Sequence, residues 1–216
     1  METNNRKFAA AGIIGGVLYF IASALVHVGT GMTGDNPDPG WLNISNLSSG
    51  MSELLALAGS VCILIGFISM YKMAEKTLGN AMRKLVTVSA VGIVGMALFH
   101  GNINCIEPII YRTLDENGAE AIYSAMDGAI SGSFALVDLI ILVAFYLQII
   151  PVIYGVLSGK FGVRKWLIIF NPVIGLIIGI ILGNILPTPV NGIAMGMRNL
   201  GEGMIYLIPA MYWRKH

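Results

Sequence analysis

The sequence predicts an all-α, polytopic membrane protein: a single domain over residues 1–216, folded as a bundle of six transmembrane helices with both termini cytoplasmic. Three observations predict it. The chain is 56% hydrophobic and 12% charged, with a mean hydropathy of +0.76, whereas a soluble domain carries about 25% charged residues. Six apolar stretches approach the roughly 20 residues that a helix needs to cross a bilayer core about 30 Å thick. Lysine and arginine also cluster in alternate connections, and basic residues favour the cytoplasmic side.

The six stretches run Phe8–Thr30, Met51–Tyr71, Leu85–Cys105, Ile130–Leu157, Trp166–Leu186 and Gly192–Trp213. With the N-terminus inside, the cytoplasmic segments hold Arg6, Lys7, Lys72, Lys76, Arg83, Lys84, Lys160, Arg164, Lys165, Arg214 and Lys215, leaving only Arg112 and Arg198 for the other side. The first stretch also resembles a signal peptide, with Arg6-Lys7 leading an apolar run to Ala22-Ser23-Ala24. The run continues to Val28, however, and cleavage would leave an odd number of helices, so a retained span is expected. The loop from Gly31 to Gly50 is rich in turn formers and reads as a solvated connection, or more sharply as a lid. The loop from Ile106 to Ala129 is acidic, and residues 115–128 suit a short surface helix. The cytoplasmic loops leave no room for a nucleotide-binding domain.

Glycine sets the packing. Gly12 and Gly16, Gly192 and Gly196, and the stripe Gly175, Gly179, Gly183 have the spacing that lets helix backbones approach closely in lipid. The last stripe serves either packing within the chain or a homodimer. Pro151 and Asn171-Pro172 are expected to bend their helices. Cys62 and Cys105 differ in depth by roughly 15 Å at 1.5 Å per residue, too far for a disulfide, so both thiols are expected to be unpaired.

The chemistry concentrates in the stretch Val91 to Tyr111. There a glycine-studded apolar helix turns polar without stopping, and His100, Asn104 and Glu107 share one face. Counting up from the basic residue at each helix foot, His27, Glu53, His100, Asp138, Asn184 and Arg198 fall roughly 24–33 Å above the inner surface. Glu202, four residues after Arg198, lies about 18 Å up. An ionised group facing hydrocarbon costs about 2.5–3.5 kcal/mol even on a lenient scale, so such groups turn inward. A polar pocket in the outer half is therefore expected, with His27, Glu53, His100, Asn104, Glu107, Asp138, Asn184, Arg198 and Glu202 as ligand-binding candidates.

The leading functional expectation is binding or transport of a small cationic or amphipathic ligand that enters from the extracytoplasmic side. The alternative is a membrane-embedded lipid-processing enzyme. It would be a metal-dependent hydrolase or an acid–base catalyst, with His100 and Asp138 as catalytic candidates. His27, Glu53 and His100 are candidate ligands for zinc, and His27 with His100 form a candidate axial pair for haem, but no specific motif indicates either cofactor. The near-neutral charge, +1, and the dispersed basic residues give no reason to expect nucleic acid. The expected setting is the plasma or inner membrane, among lipids, as a multi-pass protein.

Overall fold

The computed structural model describes residues 2–28, 44–116, 135–187 and 190–216. Every regular element among them is helical: α1 Glu2–His27, α2 Asn46–Thr77, α3 Asn80–Glu116, α4 Ala135–Leu147, α5 Ile149–Leu157, a short 3-10 turn Lys165–Ile169, α6 Pro172–Ile185, a second 3-10 turn Val190–Gly192, α7 Ile193–Met204 and α8 Leu207–Lys215. Thr3–His27, Asn46–Thr77 and Leu139–Leu157 are each long and apolar enough to cross a membrane. The candidate lid at Gly31 and beyond, and the short acidic helix after Glu116, fall outside the described residues.

Proline fixes where helices break. Pro151 has no N–H for the carbonyl of Leu147, and the helix interrupts at Gln148, between α4 and α5. Pro209 does the same to the carbonyl of Ile205, and a turn at Ile205–Tyr206 separates α7 from α8. Asn171-Pro172 starts a helix instead of bending one. The Asn171 side chain accepts from the backbone N–H groups of Val173 and Ile174 at 2.9 and 3.1 Å, and Pro172 occupies the first helical turn, where a missing N–H is harmless. At the other end of the scale, α2 and α3 outrun their predicted spans. Ser45 caps α2 by accepting from Ser48 N at 3.1 Å, and α3 carries on past His100 to Glu116.

α1 lies between α2 on one side and α7–α8 on the other. Its contacts with α2 ascend one helix as they descend the other: Ser69 Oγ donates to Asn5 O at 2.7 Å, Gly12 meets Gly66, Tyr19 meets Ser60, and Ser52 Oγ donates to Ala22 O at 2.8 Å. Against α7–α8 the order is Gly12 with Tyr206, Gly16 with Gly203, Phe20 with Gly196, and His27 with Gly192. Both pairs are therefore antiparallel. α3 pairs antiparallel with α4 through Gly92 against Phe145 and Gly95 against Ile141, and α6 with α7 through Gly175 against Met197 and Gly179 against Ala194. Gly175 and Gly179 are thus filled by α7 of the same chain, which accounts for two members of the stripe weighed as a dimer contact.

One end of the bundle gathers the basic residues onto aromatic rings. Lys72 lies over Phe8 at 5.7 Å, Lys76 over Trp213 at 4.8 Å and Lys160 over Tyr154 at 5.1 Å. Trp213 Nε1 donates to Ser69 O at 3.3 Å, and Lys215 Nζ donates to Gly162 O at 2.6 Å. These contacts collect the start of α1, the end of α2, the end of α8 and the turn after α5. That turn uses Gly159 and Gly162 at positive φ.

A methyl group on Gly16 would overlap the backbone of Gly203, whereas Gly50 faces open space. Gly16→Val is expected to cost about 1–3 kcal/mol through overpacking, seen as a lowered Tm of the purified protein in detergent. Gly50→Ala is expected to be neutral or to stabilise by about 0.5–1 kcal/mol through the unfolded chain.

Candidate functional site

The polar side chains of the interior meet where α1 passes between its two partners. Tyr19 OH and Ser60 Oγ are 2.7 Å apart, and Ser60 Oγ lies 2.9 Å from Ala56 O and 3.0 Å from Ala97 O. Ser60 has one hydroxyl hydrogen and the carbonyls can only accept, so Ser60 donates to a carbonyl and Tyr19 donates to Ser60. One serine thus ties α1, α2 and α3 together. On the other flank Asn199 Nδ2 donates to Ser23 Oγ at 2.9 Å. That bond fixes the amide, and with it the direction of Asn199 Oδ1.

Asn199, Glu202 and Tyr206 follow one another on the face of α7–α8 that packs on α1. All three are buried, with Glu202 only 2% exposed. Glu202 Oε1, Asn199 Oδ1 and Tyr206 OH are each enclosed without a hydrogen-bond partner. A buried polar atom left unpaired costs about 1–3 kcal/mol, and most such atoms in folded proteins are paired. Arg198, half-buried one turn before Glu202, lies within electrostatic range of its carboxyl group.

The sequence candidates fall into four groups. Glu202 and Arg198 belong to the interior cluster. His27 ends α1 with its side chain half-buried and its backbone carbonyl against Gly192, and Glu53 is half-buried in the second turn of α2. The register between α1 and α7 therefore separates His27 from Glu202 by ten residues of α7, roughly 15 Å along the bundle. Asn184 is exposed on α6, and its Nδ2 donates back to Ile180 O at 2.7 Å, so its polarity is satisfied by its own helix. The side chains of His100, Asn104, Glu107, Asp138 and Cys105 lie outside the described residues, while Cys62 is a free thiol. Continued beyond Gly95 and Ile141, the α3–α4 register brings the backbones of His100 and Asp138 level on adjoining helices. Among the described residues no group of three or more His, Cys, Asp or Glu gathers as a metal site would require.

Sequence reasoning passed over Tyr19, Asn199 and Tyr206. A signal was present for the last two. Asn199, Glu202 and Tyr206 recur at helical spacing on the face that also carries Gly196 and Gly203, the face most suited to close packing.

Among the described residues these features define an all-helical protein with helices long and apolar enough to cross a membrane and a polar cluster enclosed among them. The chain belongs to the family of unknown function DUF6796, whose match covers residues 1–216. No curated protein and no solved structure matches it.

The hydrogen-bond directions predict an asymmetry. Ser60→Ala removes both the hydroxyl that Tyr19 donates to and the tie to the α2 and α3 carbonyls, and is expected to cost about 1–3 kcal/mol. Tyr19→Phe leaves Ser60 still donating to a carbonyl and is expected to cost about 0.5–1.5 kcal/mol. The double variant is expected to be more stable than the sum of the two losses, as read from chemical or thermal unfolding in a double-mutant cycle.

Proposed function

We propose that this is a multi-pass protein of the plasma or inner membrane. It has six spans and both termini cytoplasmic, and it binds or transports a small cationic ligand within its helix bundle. The alternating directions of the paired helices support the six crossings, with α4–α5, the first 3-10 turn plus α6, and α7–α8 supplying the last three. The collection of lysines at the end that holds both termini supports the orientation.

One observation carries the functional reading: the cluster around α1 leaves more acceptors than donors without a partner. Tyr19 donates to Ser60, Ser60 to a carbonyl, and Asn199 Nδ2 to Ser23. Glu202 Oε1 and Asn199 Oδ1 are left without a donor. When Glu202 is ionised, its carboxylate, like the Asn199 amide oxygen, can only accept. The molecule that completes them therefore brings N–H groups or positive charge, as a primary ammonium or a bare monovalent cation does. Tyr206 OH, free to donate or accept, adds a third contact. A ligand arriving from the extracytoplasmic side would pass the outer ends of these helices, where His27 and Glu53 lie, before reaching Glu202. Arg198 offsets the Glu202 charge while the ligand is absent.

A second reading, a membrane-embedded lipid-processing enzyme with His100 and Asp138 as the catalytic pair, draws support from the level placement of their backbones on α3 and α4. Phospholipid turnover by the purified protein, lost in His100→Ala, would favour it.

The binding reading is tested by thermal unfolding of the purified protein with ethylammonium, sodium or potassium, and with choline as a cation lacking N–H donors. Ethylammonium or one of the alkali ions is expected to raise Tm. At one hundred times its Kd the stabilisation amounts to about 2.7 kcal/mol. Glu202→Gln is expected to abolish the rise. Equal shifts in wild type and Glu202→Gln for every cation would defeat the proposal.

A further inference from the structure

Gln148 occupies the break between α4 and α5 and is completely buried, at 0% exposure. Neither its Nε2 nor its Oε1 has a hydrogen-bond partner. The second observation at this point is Pro151, which cannot supply the N–H that the Leu147 carbonyl would receive in an unbroken helix. Helical bonding resumes only beyond it, with Val152 N donating to Gln148 O at 3.3 Å. The α3–α4 register brings Ser89 level with Gln148, but Ser89 Oγ donates to Val86 O at 2.7 Å and has no second hydrogen to give. An enclosed amide with both polar atoms unpartnered by the protein, at a helix break beside a carbonyl deprived of its in-helix donor, has the composition of a binding site and not that of a packed core.

The chemistry differs from that around Glu202. The α7–α8 cluster has acceptors in surplus and suits a cation. Gln148 presents two N–H donors and an acceptor together, with no charge. We infer that the α4–α5 break is a separate intramembrane site for a small neutral molecule that both donates and accepts hydrogen bonds: water, or a solute bearing a carboxamide or hydroxyl group. Such an occupant accepts from Nε2 and donates to Oε1 or to the Leu147 carbonyl, so one molecule completes several groups. A water buried in protein makes about three such bonds. The site does not depend on the cation reading, because it uses different helices and the opposite hydrogen-bond balance.

Gln148 is the chain's only glutamine, so an isotopic label on glutamine side-chain nitrogen reports this amide alone. In the purified wild-type protein the amide protons are expected to show cross-relaxation to bound water, or to acetamide when that is added. Acetone, which lacks a donor, is expected to leave the signal unchanged. A cross-peak to water alone identifies water as the occupant, and its replacement by one to acetamide identifies a solute; either supports the site. Gln148→Met, of similar size but unable to bond, is expected to lower Tm by several degrees and to abolish any acetamide-dependent rise. Absence of both cross-peaks overturns the inference, as does a Gln148→Met protein that melts above wild type. In Glu202→Gln, where the new glutamine adds its own amide signals, those already present for Gln148 in wild type are expected to be unchanged, so failure of the cation reading is distinguishable from failure of this one.

Discussion

Along α1 the structure depends on backbone meeting backbone. Gly12 lies against Gly66 of α2, and Gly16 against Gly203 of α7. Helices in lipid gain little from burying apolar surface against each other, because the acyl chains are as apolar as leucine. Association rests on dispersion, which falls off steeply with a gap of even half an ångström, and on hydrogen bonds between helices. Removing side chains at these crossings brings α1 near enough to both partners for short side chains to reach across. Ser69, Ser52 and Ser60 can bond to neighbouring helices only because the axes are this close.

The same closeness shapes the polar interior. Between the α1–α2 crossing and the α1–α7 crossing there is room for Tyr19 and Tyr206, both almost fully enclosed, but little freedom for either to seek new partners. Tyr19 is held by Ser60, and Asn199 by Ser23. Glu202, next in sequence to the Gly203 contact, is positioned by the helix and left with an open valence. A network that is satisfied on one side and incomplete on the other is costly as pure architecture. It is well suited to receive a ligand, because Tyr19 and the Asn199 amide N–H, which would otherwise compete for the carboxylate, donate to Ser60 and Ser23.

Much of this was legible in the sequence, for identifiable reasons. The long apolar runs of α1 and α2 announce themselves by length, and the glycine spacings of α1, α6 and α7 mark the contacts that the structure makes. Pro151 is visible as a break. Pro209 was as visible but lay near a chain end, where a bend attracts less notice. The depth count from basic residues placed Glu202 deeper than His27, as the helix register does. It could not show direction around each helix. Asn184 shares the height of the other candidates yet faces outward and bonds to its own carbonyl. Tyr19 reads in sequence as one more apolar residue in a membrane run, because its hydroxyl acquires meaning only from Ser60, forty-one positions away. Gln148 is similar: a single amide in an apolar helix carries no spacing pattern, and only enclosure makes it conspicuous.

The partnership of α1 with α7–α8 joins a helix made early to one made much later, with Ser23 and Asn199 176 positions apart. At about 5–20 residues per second, a ribosome takes roughly 9–35 s to cover that distance. Throughout that interval the glycine groove and Ser23 of α1 stand in the bilayer with their final neighbour still unwritten. A chain interrupted before α7 therefore displays an unfilled small-residue surface in lipid, a feature by which membrane quality control can distinguish an unfinished molecule from a complete one.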